Sequence, residues 1–210
     1  MKYFFSMDAP LFRILSTLYD LIILNLVTLA GCLPILTAGA SLTAMHFVLI
    51  AMVRDGEPDI VRSWFRSFRE NLRQATMIWS VYLLILLLCY WIIRGGADET
   101  LDALAVGCAG FALLLLFLLS LYLFPFIAHF RNTILRSVGI CAALSVAYLI
   151  RTAGMAVIHL VSAALFVVFL PWTIPLSVLF GLSLPGYFCA LLYHAVLLKL
   201  EGRTDGGSDE

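Results

Sequence analysis

The sequence predicts an all-α fold, a polytopic transmembrane helix bundle of about six spans with one or two amphipathic helices at the cytosolic face and both termini in the cytosol. Three observations lead there. Apolar residues make up 63% of the chain and charged ones 12%, with a mean hydropathy of +1.04, well outside the range of a water-soluble domain. The apolar residues fall into runs close to the roughly 20 needed to cross about 30 Å of hydrocarbon. Net charge is zero, yet the basic residues cluster strongly in alternate connections.

The runs place spans at about 15–33, 37–53, 75–93, 104–128, 152–170 and 174–198, within one membrane domain over 1–203 followed by a disordered polar tail, 204–210. The opening MKYFFSMDAPLFR has one Lys and no short apolar core with a small-residue cleavage site, so the first span is expected to stay in the mature protein. With a cytosolic N-terminus, Lys2, Arg13, Arg54, Arg62, Arg66, Arg69, Arg73, Arg131, Arg136, Arg151, Lys199 and Arg203 all face the cytosol, and only Arg94 lies outside. Every connection is short enough for its Lys and Arg to count towards orientation.

Between the second and third spans lies RDGEPDIVRSWFRSFRENLR. Turned as a helix, Val61, Trp64, Phe65, Phe68 and Leu72 gather within about 80° of one another, with Arg62, Arg66, Arg69 and Arg73 on an adjoining stripe. Pro58 and Asp59 suit its start, with Asp59 as the cap. This pattern predicts an interfacial helix over about 59–73. Its aromatics would lie at acyl depth and its Arg stems would snorkel towards anionic headgroups. The same face can present Arg to an acidic partner, so Trp64, Phe65, Phe68, Arg62, Arg66, Arg69 and Arg73 are candidate interfacial or partner-docking residues.

A second short apolar stretch, about 134–150, is too short to cross comfortably and would force the C-terminal Lys199 and Arg203 outside if it did. It reads as another interfacial helix. An internal echo agrees: a span ending near Arg54 or Arg131 is followed by a helix of about 15 residues closing at Arg73 or Arg151.

The corner NLVTLAGCLPILTAGASLTAMHF, 25–47, carries polar groups at membrane depth. Asn25 and His46 fall near the middle of the first and second spans, so each should point into the bundle, towards the other or a shared cavity. Pro34 and Gly39 are expected to break the helices between them. Thr37, Ser41 and Thr43 can cap the second helix or bond back to its turns, and Ala38, Gly39, Ala40 and Ala44 allow close helix approach. Either a packed, hydrogen-bonded corner or a substrate or ion site would use these residues.

Chemistry is sparse elsewhere. The five cysteines are odd in number, sit in apolar runs and form no C-x-x-C, which favours neither a disulfide framework nor zinc. His46, His129, His159 and His194 occupy four different spans or span ends with no i, i+4 pair. There is no phosphate-cradling Gly loop, no G-x-S-x-G and no pair of intramembrane carboxylates; Asp20 is the one acidic residue inside a span. No catalytic residue, cofactor or metal site is predicted, and no nucleic-acid partner. Pro125, Pro171, Pro175 and Pro185 mark kinks or ends of the last three spans, with Pro185-Gly186 in the middle of the sixth.

Asn25, LPILTAGASLTAM (33–45), Arg54 to Glu57, and WFRSFRENLRQA (64–75) together resemble the YesL-like family of bacterial integral membrane proteins, the domain of unknown function DUF624. The second half agrees in hydropathy and in FPFIAHF (124–130). The resemblance implies a multi-pass protein of the bacterial cell membrane, with no assigned catalytic residues. It further implies an accessory role beside carbohydrate-uptake ABC transporters, whose subunits would be its partners along with the lipid bilayer. The alternative reading is a small transporter or channel with its polar site near Asn25 and His46.

Overall fold

In hydrocarbon a peptide group has no water to bond, so a chain this apolar must satisfy its backbone within helices. The computed structural model describes residues 10–55, 59–94, 99–130, 133–168 and 174–205. Lys2, Pro58, Asp98, Arg131, Pro171 and the tail from 206 lie outside these residues; for Arg13, Lys199 and Arg203 only the helical backbone is described. Among the described residues the elements are α1 (Pro10–Cys32), a 3-10 turn (Ile35–Thr37), α2 (Ala38–Asp55), α3 (Ile60–Arg94), α4 (Glu99–His129), α5 (Ile134–Ala147), α6 (Leu149–Val168), α7 (Ile174–Phe180) and α8 (Ser183–Asp205). No strand occurs among them, and six segments are long and apolar enough to cross a membrane. The molecule is an all-α, multi-pass bundle.

The central helix is α2, packed against α1, α3, α4 and α8. In its apolar window 61% of residues are buried, against 11% in α3, α4 and α6, whose outer faces carry the lipid-facing Leu, Val and Phe. Small residues decide this placement. A Cβ on Gly39 would stand 2.5 Å from Trp79 Cβ and 2.9 Å from the Ala75 carbonyl of α3, so only a glycine permits the approach. Gly39 therefore lies inside α2 and does not end it; the break sits one turn earlier, at Leu33 to Thr37, after Pro34.

The expected interfacial helix at 59–73 and the span at 75–93 form one uninterrupted helix, α3. Asp59 Oδ1 accepts the Arg62 amide at 3.2 Å and so caps its start, and no Gly or Pro follows to interrupt it. Its 35 residues extend about 52 Å at 1.5 Å per residue, roughly 20 Å more than the hydrocarbon is thick.

The last span differs in the opposite sense. A continuous helix kinked at Pro185-Gly186 is expected, but the chain breaks at Gly181-Leu182 into α7 and α8. Proline fits within the first three positions of a helix, which is where both Pro175 and Pro185 stand. The helical backbone then continues to Asp205, past position 204 where a tail is expected to begin.

Two apolar cores fill the bundle. One gathers Leu21, Leu24, Met45, Val48, Leu49 and Trp64 between α1, α2 and the start of α3. The other gathers Tyr122, Ile127, Cys141, Leu144, Met155 and Tyr193 between α4, α5, α6 and α8. The short α5 lays Ser137, Cys141, Leu144 and Ser145 against the second core, and Tyr148 separates it from α6, which begins at Leu149.

Candidate functional site

The polar corner is built outward from Asn25, which is fully buried on α1. Its Nδ2 donates to the carbonyls of Ser177 (3.2 Å) and Val178 (2.7 Å) at the end of α7. Its Oδ1 accepts the amides of Leu182 (2.9 Å) and Ser183 (3.0 Å) at the start of α8. A side-chain amide has two donor hydrogens and two acceptor lone pairs, so Asn25 is saturated. It supplies both halves of the break with the partners that the missing helical turn withholds.

Asn25 and His46 are therefore not paired. His46 is half-buried on α2 and lies within electrostatic range of His159 on α6, while all four bonds of Asn25 go to 177–183. The physical reason is the α7–α8 break, whose Val178 carbonyl and Leu182 and Ser183 amides lack helical partners and outcompete an imidazole for an amide.

The hydroxyls of the corner bond backbone. Ser41 Oγ donates to the Thr28 carbonyl at 2.7 Å, tying α2 to α1. Thr43 Oγ1 donates to the Gly39 carbonyl one turn back, at 2.8 Å. Thr37 does not cap α2; its Oγ1 reaches the Gly31 and Pro34 carbonyls, both at 3.0 Å, and closes the end of α1. Trp79, which the sequence reading missed, donates its indole N–H to the Ile35 carbonyl at 2.7 Å. A tryptophan at the lipid-facing depth of a span gives no sequence signal that separates such a clasp from an ordinary membrane-facing ring. Two buried hydroxyls beside the Asn25 knot, Thr28 Oγ1 and Ser183 Oγ, have no protein partner.

The basic stretch of α3 divides its aromatics. Trp64 is 2% exposed and stacks on Phe68 with centroids 4.8 Å apart, and both turn into the α1–α2 core. A Cβ on Gly31 would come within 2.8 Å of the Trp64 ring, so the missing side chain there makes room for the indole. Trp64 is thus an inner anchor, with half-buried Phe68 stacked on it, because that part of the apolar face meets α1 and α2 first. Phe65 remains 52% exposed beside exposed Arg62, Arg66, Arg69 and Arg73. Arg66 stands over the Phe47 ring at 5.6 Å, and Arg62, Arg66, Arg69, Phe65 and Glu70 line an open depression of about 640 Å³.

A third polar group lies in the second core. Thr152 Oγ1 approaches the Ser145 and Tyr148 carbonyls at 3.0 Å each, so its proton is committed and Tyr122 Oη donates to it at 3.1 Å. This joins α4 to the α5–α6 junction. The Cys141 thiol of α5 is pushed up to about 12 by burial. The five cysteines are free thiols, and among the described residues no three His, Cys, Asp or Glu side chains converge on a metal-sized space.

Helices of spanning length around a core of small, hydroxyl and amide residues define a multi-pass membrane protein. Residues 21–92, from α1 through most of α3, match a family described as protein of unknown function, DUF624, and are similar to it. The match contains Asn25, the 33–45 corner and the basic stretch on which the resemblance rested, and the YesL-like label has no named relative behind it. No curated protein and no solved structure matches the chain.

Proposed function

We propose that the protein is a non-enzymatic accessory component of a carbohydrate ABC-type importer in the bacterial cell membrane, with both termini in the cytosol, docking through the basic end of α3. The observation that carries this is the length and continuity of α3. It outreaches the hydrocarbon by about four of its turns, at 1.5 Å per residue and 3.6 residues per turn, while Trp64 and Phe68 hold it against the bundle. Held this way, Arg62, Arg66 and Arg69 form a fixed cationic ridge beside Phe65. A preorganised ridge loses little entropy on meeting an acidic surface, and the anionic headgroups of the inner leaflet fit the same charge. The nature of the partner comes from the family resemblance.

A tagged full-length chain solubilised from native membranes should bring down importer subunits. Arg62→Glu, Arg66→Glu and Arg69→Glu together should abolish the copurification without lowering the melting temperature. Recovery of no transporter subunit with the unmodified chain would overturn the proposal.

The second reading is a small transporter or channel at the Asn25 and His46 corner. The discontinuous α7–α8 span favours it, because interrupted helices at membrane depth are where substrates meet backbone ends. Flux in proteoliposomes containing this chain alone, lost in His46→Ala, would support that reading over the first.

A further inference from the structure

Beside the α7–α8 break, and apart from the α3 ridge, runs a groove of about 540 Å³. On one wall His159, Ser162, Ala163 and Phe166 follow the i, i+3, i+4, i+7 spacing of a single face of α6; on the other stand Phe180 and Gly181 at the break itself. The volume is that of a small-molecule site, and no Asp, Glu, Lys or Arg lines it.

Two polar side chains of α6 share one character. His159 Nδ1 lies 3.0 Å from the Met155 carbonyl and 3.5 Å from the Cys189 sulfur, whose thiol can itself turn to that carbonyl at 4.0 Å. A carbonyl only accepts, so the bond assigns the proton to Nδ1 and leaves Nε2 of the neutral ring as an acceptor. Ser162 Oγ gives its proton to the Ile158 carbonyl at 2.8 Å and keeps only lone pairs. The groove thus offers acceptors within an apolar wall and asks for a donor. Both walls belong to segments of spanning character, with His159 midway along α6, so the approach is from the bilayer. Its shape is fixed from behind by Asn25, which pins the ends of α7 and α8.

We propose that this groove binds an uncharged, membrane-dissolved alcohol, whose apolar body lies along Phe166 and Phe180 and whose hydroxyl donates to His159 Nε2. A fatty acid carboxylate would bring a charge with no cation to meet it, and a plain hydrocarbon would leave the imidazole acceptor unsatisfied in a low-dielectric site. A partner's transmembrane helix is the competing occupant. It needs a long seam, whereas this groove is closed on one side by the α7–α8 turn.

The test uses the full chain in phosphatidylcholine nanodiscs with a photoreactive hexadecanol, the matching hexadecanoic acid and the matching hexadecane, followed by peptide mapping. The alcohol should label peptides of α6 and the α7–α8 turn, and unlabelled hexadecanol should compete. His159→Phe should reduce labelling about tenfold, the worth of one well-placed hydrogen bond. Ala163→Phe, which fills the groove, should remove it, while Val157→Phe on the outward face of α6 should leave it unchanged. Even labelling of all lipid-facing helices, equal labelling by acid or hydrocarbon, or full labelling in a folded Ala163→Phe variant would overturn the proposal. Competition by glycerol in the aqueous phase would show a water-fed site and overturn the membrane route. A partner helix crosslinked through the same peptides in native membranes would assign the groove to protein contact instead.

Discussion

The corner of α1, α2 and α3 and the seam of α4, α5, α6 and α8 solve the same problem by different means. In the corner, glycines bring backbones together and hydroxyls bond backbone carbonyls across the gap, as with Ser41 to Thr28 and Gly39 against Ala75. In the seam large rings such as Tyr122 and Tyr193 fill the space between helices, and a Cβ on Gly154 of α6 would meet only the end of the Leu192 side chain, at 3.4 Å. The corner is specified by closeness, which tolerates almost no added atoms. The seam is specified by filling, which tolerates small changes better.

The largest expected effect tests the residue that ties α1 of the corner to the α7–α8 break. Asn25→Ala would strand the Val178 carbonyl and the Leu182 and Ser183 amides of the α7–α8 break in a buried, low-dielectric setting, while the Ser177 carbonyl keeps the Gly181 amide. A loss on the order of 3 kcal/mol or more is expected, because each buried unsatisfied group costs roughly 1–3 kcal/mol. Unfolding in mixed detergent would measure it, and a shift below about 1 kcal/mol would mean that the break finds other partners.

A middle-sized effect should test the closeness of the corner directly, against an exposed glycine on the outer face of α4. Gly39→Ala forces a Cβ against backbone and the root of Trp79, and should lower the melting temperature strongly. Gly110→Ala, in open space, should be neutral or slightly stabilising, since alanine favours a helix by about 1 kcal/mol over glycine. Equal responses would mean that the contact at Gly39 does not limit the corner.

The smallest effect is chemical. Thiolate is the reactive form, and burial of Cys141 raises its thiol to about 12, so almost none is ionised at neutral pH. A water-soluble maleimide should leave Cys141 unmodified from pH 7 to about 9, within the range below that raised value. Labelling would begin only when α5 detaches from the second core, which makes Cys141 a reporter of seam opening.

Much of the bundle is legible without coordinates. The six apolar segments, the Asp59 cap, the break after Pro34 and the inward turn of Asn25 follow from composition, capping chemistry and the cost of polar groups in oil. What escapes a sequence reading is the partner of each inward group. Trp64 and Phe65 are adjacent and chemically alike, yet one is sealed in the core and the other exposed, because α1 and α2 cover only part of that face. Periodicity marks an apolar arc and has no way to say how much of it a neighbour covers. The division of the last span is similar. Pro185-Gly186 is a plausible kink by local rules, but the chain breaks at Gly181, where Asn25, more than 150 positions away in sequence, holds the loose ends.

By itself, the sequence determined that this chain resides in a membrane, which stretches cross it, and that α3 begins as a basic amphipathic helix. Those properties depend on residue chemistry summed along short windows. Only the tertiary structure decided that α3 is continuous, that Asn25 serves a broken helix and not a histidine, and that a groove of acceptors opens beside the break. These depend on which of several distant, equally polar groups comes within 3 Å. In a low-dielectric bundle that choice goes to whichever backbone groups would otherwise have no partner at all.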